Sequence, residues 1–347
     1  MSALTLSVLL SSLLLGTSVT FISSHWFTAW MGLELSTLVM IPMMIHNHHP
    51  RAVEAATKYF IVQAASAAVL LFAALGNAWQ TGSWEITEMS HPHYTPIAMM
   101  ALAFKMGLAP VHFWLPDVLH GLTLEVGFLV ATWQKLAPFA LILQISSNTH
   151  PYLLTALALF STLIGGWGGL NQTEVRKLLA YSSIAHMGWM ILMAQMAPEL
   201  TAVALLTYVV ITGAMFAALK TLNTTKIIRL ATSWTQSPAL CTAIGLMLLS
   251  LGGLPPLTGF LPKWLIIQEL TNQELPLTAT IMAMAALLSL FFYLRLTQFA
   301  TLTLFPQTTL FVTPWRTPNK RPLVLSFTVI LATSMLPVLP TILALFH

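Results

Sequence analysis

Residues 94–119 read YTPIAMMALAFKMGLAPVHFWLPDVL. The stretch is long and apolar enough for a membrane span, which takes roughly 20 residues. Yet it holds Lys105, His112 and Asp117, and it is interrupted by Gly107, Pro110 and Pro116. Each proline removes an amide donor and opposes a continuous helix. Irregular backbone at membrane depth is tolerated only where protein or a hydrated cavity covers it. The stretch therefore reads as a broken transmembrane helix inside a bundle. The same pattern recurs within 238–270, where Leu251 to Trp264 contains Gly252, Gly253, Pro255, Pro256, Pro262 and Lys263.

The rest of the chain agrees. Of its 347 residues 57% are hydrophobic and 7% charged, against roughly 25% charged in an ordinary soluble domain. A water-soluble fold of this size needs far more polar surface, because about a quarter of the unfolded surface stays exposed. A soluble enzyme is excluded. Apolar runs of bilayer length predict about eleven helices, at 3–23, 25–45, 57–79, 94–119, 123–145, 151–170, 174–195, 199–221, 238–270, 275–300 and 323–346. Strands of the membrane-barrel kind, with alternating polarity, are absent. The fold class is an all-α, polytopic membrane helix bundle: a single integral membrane domain over 1–347.

Threading the helices alternately from an inside N-terminus places Arg51, Lys58, Arg176, Lys177, Lys220, Lys226, Arg229, Arg295, Arg316, Lys320 and Arg321 on the inside. These are all but three of the 14 Lys and Arg. Glu85, Glu88, Glu199, Glu269 and Glu274 fall outside with no Lys or Arg beside them, as the positive-inside rule requires. The net charge of +4 is thus topological. It forms no dense basic run, so no nucleic-acid partner is expected. The N-terminus has no basic region ahead of its apolar residues, so the first segment is expected to remain as a membrane helix.

The three remaining basic residues are Lys105, Lys135 and Lys263, and Glu34 joins them inside the spans. Lys105 lies about 16 Å into its segment at 1.5 Å per residue, near the middle of a core about 30 Å thick. One such charge costs on the order of 2.5–3.5 kcal/mol even on a lenient scale. The broken segments are the fourth and ninth helices, so they cross in opposite directions. That is the pattern of inverted five-helix repeats, about 3–145 and 151–300, followed by a C-terminal helix about 323–346. By the same offset Glu34 corresponds to the helix that holds His186. Burial opposes charge and an opposite charge nearby restores it, so a carboxylate and an ammonium brought together or parted hold or release a proton. His112 and His186 extend such a relay, since histidine passes protons near neutrality. Structural ion pairs or packing histidines are the alternative for the same residues.

Other features carry no chemistry. Cys241 stands alone in an apolar run, with no CxxC or Cys/His set for zinc or an iron–sulfur cluster. Gly165, Gly166, Gly168 and Gly169 end a membrane helix and follow no strand, so close helix packing explains them better than a phosphate loop. His46, Asn47, His48, His49, His91 and His93 read as solvated loop residues. Trp26, Trp79, Trp84, Trp234 and Trp315 read as interface anchors.

Four stretches carry a resemblance: Arg51-Ala-Val-Glu-Ala-Ala-Thr-Lys-Tyr-Phe60, Lys105-Met-Gly-Leu-Ala-Pro110, Thr132-Trp-Gln-Lys-Leu-Ala-Pro138, and Gly252 to Trp264. They closely resemble the NADH dehydrogenase subunit 2 family, from the membrane arm of animal mitochondrial complex I, and the likeness covers essentially the whole chain. It implies an antiporter-like, proton-translocating subunit of the respiratory NADH:ubiquinone oxidoreductase, driven by quinone reduction elsewhere in the complex. It implies no redox centre on this chain, with NADH, FMN, iron–sulfur clusters and ubiquinone held by other subunits. The implied partners are other membrane-arm subunits, phospholipids and the protons carried. The implied location is the mitochondrial inner membrane, with the N-terminus in the matrix and the C-terminus in the intermembrane space. Carried over by position, Glu34 and Lys105 form a switching pair, Lys135 relays and Lys263 lies in the other half-channel. His186 fits a position where relatives place a protonatable residue. The chain resembles the animal form, which lacks the first helices of longer antiporter-type relatives; neighbouring subunits are implied to cover that flank. A self-contained cation/proton antiporter and a purely structural membrane subunit remain the other readings.

Overall fold

The computed structural model describes residues 2–46, 48–235, 237–302 and 323–346. Regular structure among them is helical, apart from isolated bridges at His25–Glu85 and Glu174–Lys226. Seven helices among the described residues are long and apolar enough to cross a membrane. The chain divides into two compact units, Met1–Ser161 with Ala194–Met196, and Thr162–Met193 with Ala197–His347.

The first unit contains α1 (Ala3–Ile22), α2 (Trp26–Ile45), α3 (Pro50–Thr81), α4 (Tyr94–Met106), α5 (Trp114–Gly121), α6 (Leu124–Ala131), α7 (Trp133–Ser146) and the start of α8 (Pro151–Gly169). α1 and α2 lie close because Gly16 and Gly32 face each other; a Cβ on Gly16 would sit 2.9 Å from the Gly32 carbonyl oxygen. Histidines cap two helices. His25 Nδ1 accepts from the Phe27 N–H at 3.2 Å, and His49 Nδ1 accepts from the Arg51 N–H at 3.2 Å. With His49 as its cap and Pro50 in its first turn, α3 starts well before the expected residue 57. Trp26 is a correction: it is 1% exposed and packs inside the unit, whereas Trp79 is 91% exposed.

The span expected at 123–145 is present as Leu124–Ser146, bent at Thr132 between α6 and α7. Pro138 lacks an N–H for the carbonyl of Gln134 and crowds it sterically. The Thr132 hydroxyl bonds back to the Phe128 carbonyl at 2.7 Å, which also bends a helix.

The second unit holds the end of α8, α9 (Val175–Met193), α10 (Pro198–Leu222), a short α11 (Ile227–Thr232), α12 (Pro238–Gly252), α13 (Phe260–Asn272), α14 (Pro276–Thr297), α15 (Leu323–Ser334) and α16 (Leu339–Phe346). The helix expected at 323–346 is interrupted between α15 and α16, where Pro337 falls, and Pro340 sits in the first turn of α16. α11 occupies a stretch expected to be loop. The α8 glycines do pack: a Cβ on Gly165 would lie 2.7 Å from the Ala185 nitrogen, and one on Gly169 2.7 Å from the Phe292 ring. Cys241 is fully buried, its Sγ 3.2 Å from the Ser233 hydroxyl. Asn47, Trp315, Arg316, Lys320 and Arg321 lie outside the described residues.

Each unit breaks one helix by the same backbone device. α4 ends at Gly107 (φ +75°) and α12 at Gly253 (φ +82°), a left-handed conformation that costs glycine nothing. The Leu108 N–H then returns to the Ala103 carbonyl at 3.0 Å, and the Leu254 N–H to the Leu249 carbonyl at 3.3 Å. This doubly bonded glycine ending satisfies carbonyls that a bare helix end would leave open. A turn follows in each, Val111 to Leu108 at 2.9 Å and Leu257 to Leu254 at 3.0 Å. α5 and α13 resume at Trp114 and Phe260. The two breaks align at one constant offset, which pairs Pro110 with Pro256 and Pro116 with Pro262. In that register Lys105 aligns with Leu251, and Lys263 with Asp117. The two lysines therefore occupy different places: one precedes its break and the other follows it.

Candidate functional site

In the first unit the buried charges sit among α2, α3, α4 and α7. Lys105, in the last turn of α4, is 4% exposed. Its ammonium donates to the Gln63 carbonyl at 3.4 Å, and the Gln63 amide donates to the Lys105 carbonyl at 3.2 Å. Gln63 is itself buried in the middle of α3. One turn earlier, the Tyr59 ring lies 5.9 Å from that of Trp114. The Trp114 indole donates to the Phe104 carbonyl at 3.1 Å, folding the start of α5 back onto the end of α4.

Glu34 is half-buried on α2, and its carboxylate accepts from the Thr37 hydroxyl at 3.3 Å. It does not form a direct ion pair with Lys105 within 4.0 Å. Lys135 is 2% exposed in the first turn of α7. The neighbouring Gln134 amide donates to the Ser36 carbonyl at 3.1 Å, tying the turn that carries Lys135 to the turn that carries Glu34. The Trp30 indole donates to the Ala67 carbonyl at 3.1 Å and closes α2 on α3. His112 lies within the break, buried, with Nδ1 3.3 Å from the Pro110 carbonyl oxygen. Burying an ion costs several kcal/mol unless hydrogen bonds and charge offset it. For Lys105 and Glu34 the hydrogen-bond partners are neutral groups, the Gln63 carbonyl and the Thr37 hydroxyl, and not each other.

Asp117 belongs elsewhere. It meets Lys58 at 3.3 Å, and Lys58 meets Glu54 at 2.8 Å, with all three side chains largely exposed. Surface pairs of this kind contribute little.

In the second unit, His186, Trp189, Thr207, Tyr208, Leu251 and Lys263 line one cavity. It offers about 20 Å³ of room for water centres, where one water needs roughly 10–15 Å³. The His186 and Tyr208 rings are 5.6 Å apart. Lys263, in the first turn of α13, donates to the Leu251 carbonyl at 3.2 Å and the Gly252 carbonyl at 2.9 Å. His186 and Lys263, far apart in sequence, thus line one mostly apolar space with room for about one water.

Glu34, Lys105 and Lys135 are gathered in one unit, His112 in its break, and His186 and Lys263 in the other unit. Gln63, Gln134, Tyr59 and Tyr208 were missed from sequence. The two glutamines do leave a signal: an amide in an apolar run hydrogen-bonds across helices. The tyrosines leave none, since a tyrosine in an apolar run looks like ordinary packing. Among the described residues no cluster of three or more His, Cys, Asp or Glu is placed to hold a metal.

Residues 23–289 match the family described as NADH:quinone oxidoreductase/Mrp antiporter, transmembrane. Residues 290–343 match the NADH dehydrogenase subunit 2 C-terminus. NADH-ubiquinone oxidoreductase chain 2 of Formosania lacustris is 59% identical over 347 residues, covering all of both chains. That of Carassius auratus is 58% identical over 99% of each. Among solved structures, a chain of respiratory complex I from Thermus thermophilus matches with TM-score 0.83 and 29% identity, over 100% of this chain and 78% of that one. A chain of the Mrp complex from Dietzia sp. DQ12-45-1b shares the fold, with TM-score 0.79 and 19% identity over 87% of this chain and 61% of its own.

Proposed function

The chain belongs to the NADH:quinone oxidoreductase/Mrp antiporter membrane family, in its NADH dehydrogenase subunit 2 branch, and on that premise we propose how its buried charges carry protons. It is a multi-pass membrane subunit of mitochondrial complex I, an oxidoreductase. In the proposal, redox chemistry stays on other subunits, which hold NADH, FMN, iron–sulfur clusters and ubiquinone. This chain moves protons, with phospholipid and other membrane-arm subunits around it. Its N-terminus faces the matrix and its C-terminus the intermembrane space, and the stretches at about 3–145 and 151–300 are inverted five-helix repeats followed by a C-terminal helix at about 323–346.

The steps follow from the side chains. A shift in a neighbouring subunit changes the separation of Glu34 and Lys105. Because the two interact across a gap rather than in a contact pair, a small displacement changes how strongly each favours the charged form of the other. Lys105 then loses or gains its proton, His112 in the adjoining break extends the path, and Lys135 receives the proton. Lys263 and His186 complete the path around their cavity. The single observation that carries this reading is the seat of Lys105. Its ammonium is buried and held by one long bond to a carbonyl, with no ion pair to Glu34 within 4.0 Å. A structural ion pair would be closed.

Lys105→Met in the assembled complex tests it, with protons pumped per NADH as the readout. The ratio falls while NADH oxidation continues, and Lys105→Arg restores part of it. An unchanged ratio in a fully assembled complex overturns the relay for this subunit.

A further inference from the structure

The last four carbonyls of an α-helix have no partner within the helix, and in α12 each can be accounted for. Gly253 and Leu254 N–H groups satisfy the Leu249 carbonyl, and the Gly253 N–H also reaches the Ser250 carbonyl at 3.0 Å. The other two, Leu251 and Gly252, accept from the Lys263 ammonium. Lys263 comes from the far side of the break and folds back over Gly253 to reach them. A Cβ on Gly253 would stand 2.9 Å from Lys263 Cδ and 3.2 Å from its Nζ, so any other residue there would push the side chain away.

The first unit closes the same end differently. The carbonyl aligned with that of Leu251 is that of Lys105, and its partner is the amide of Gln63. A Cβ on Gly107 would meet Leu115 and Trp114, not a lysine. One break is therefore closed by an amide that never changes charge, and the other by a group that does.

We propose that the Lys263 ammonium is the C-terminal cap of α12, seated by Gly253, so that the proton on Lys263 is itself part of what holds the second break in shape. A positive group at this helix end also faces the negative end of the helix dipole. Charge-assisted hydrogen bonds are roughly twice as strong as neutral ones, so losing the proton loosens the junction of α12 and α13. Two of the three ammonium donors are used on the carbonyls, and the third is available to the cavity. The titratable groups lining that cavity with Lys263 are His186 on α9 and Tyr208 on α10. Proton transfer at Lys263 and movement of the break become one event. This rests on the relay reading only in taking Lys263 to change its protonation during turnover.

Backbone hydrogen exchange across residues 253–260 of the assembled complex tests the cap without reference to pumping. Lys263→Met is expected to raise exchange there roughly tenfold, the loss of a hydrogen-bonded charge, and Lys263→Arg to keep the protection. Lys105→Met leaves exchange across its own break, 107–114, unchanged, because Gln63 closes that end. Exchange in Lys263→Met equal to the unaltered complex overturns the proposal. Where Lys263→Met does not assemble, Gly253→Ala is compared with Gly107→Ala. Both bear the same left-handed backbone cost, but only the first displaces the lysine. A much larger rise at the second break supports the cap, and equal rises overturn it. Faster exchange with unchanged pumping in Lys263→Met leaves the cap standing and removes this residue from the relay.

Discussion

Gln63 holds the carbonyl of Lys105 through its amide and the ammonium of Lys105 through its own carbonyl. Gln63→Leu removes the first bond and leaves a buried acceptor open, at a cost of about 1–3 kcal/mol. The complex is expected to assemble with lowered thermal stability and a reduced proton-to-NADH ratio, while Asp117→Asn, at an exposed pair, changes neither. A thermal melt and a pumping assay on the two variants check this. What was legible at this scale was set by cost. Ionised groups in an apolar span are so expensive that Glu34, Lys105, Lys135 and Lys263 stand out by type alone. Their settings did not stand out: which carbonyl holds which ammonium depends on helices that pack side by side from distant sequence. That the lysines sit on opposite sides of their breaks follows from the sequence register itself.

At the scale of the helix, the packing of α1 on α2 turns on the absence of side chains. Gly16→Val places a methine carbon where the Gly32 carbonyl and the Ser36 nitrogen lie 2.9 Å away. Overpacking of this kind costs about 1–3 kcal/mol or more, so native electrophoresis should show lost assembly. Gly82→Ala is the counterpart. Nothing lies within 4 Å of its added carbon, and only the left-handed backbone opposes it, by roughly 1–2 kcal/mol; assembly persists. Hydropathy and proline spacing located the helices and both breaks because those signals are local. They overran at 323–346, where Pro337 falls in a run that remains apolar throughout. They fell short at α3, whose first turns carry Arg51, Glu54 and Lys58 on an exposed face, begin at the His49 cap and bury only the small Ala52, Ala55 and Ala56.

For the molecule as a whole, the chain is a membrane subunit of complex I with its candidate proton sites divided between two units. In gently solubilised inner membranes it should migrate with a large band that oxidises NADH. Migration as a small free species would favour a self-contained antiporter. The central claim is that protons pass through the buried charges of this subunit, and Lys135 tests it most directly. It is 2% exposed and belongs to neither broken helix, so its loss does not act through the caps at the breaks. The measurement is protons translocated per NADH oxidised by complex I in sealed liposomes, with Lys135→Met beside the unaltered enzyme. The account predicts a lower ratio at sustained NADH oxidation. An equal ratio in a fully assembled complex would contradict it and leave this subunit a structural one.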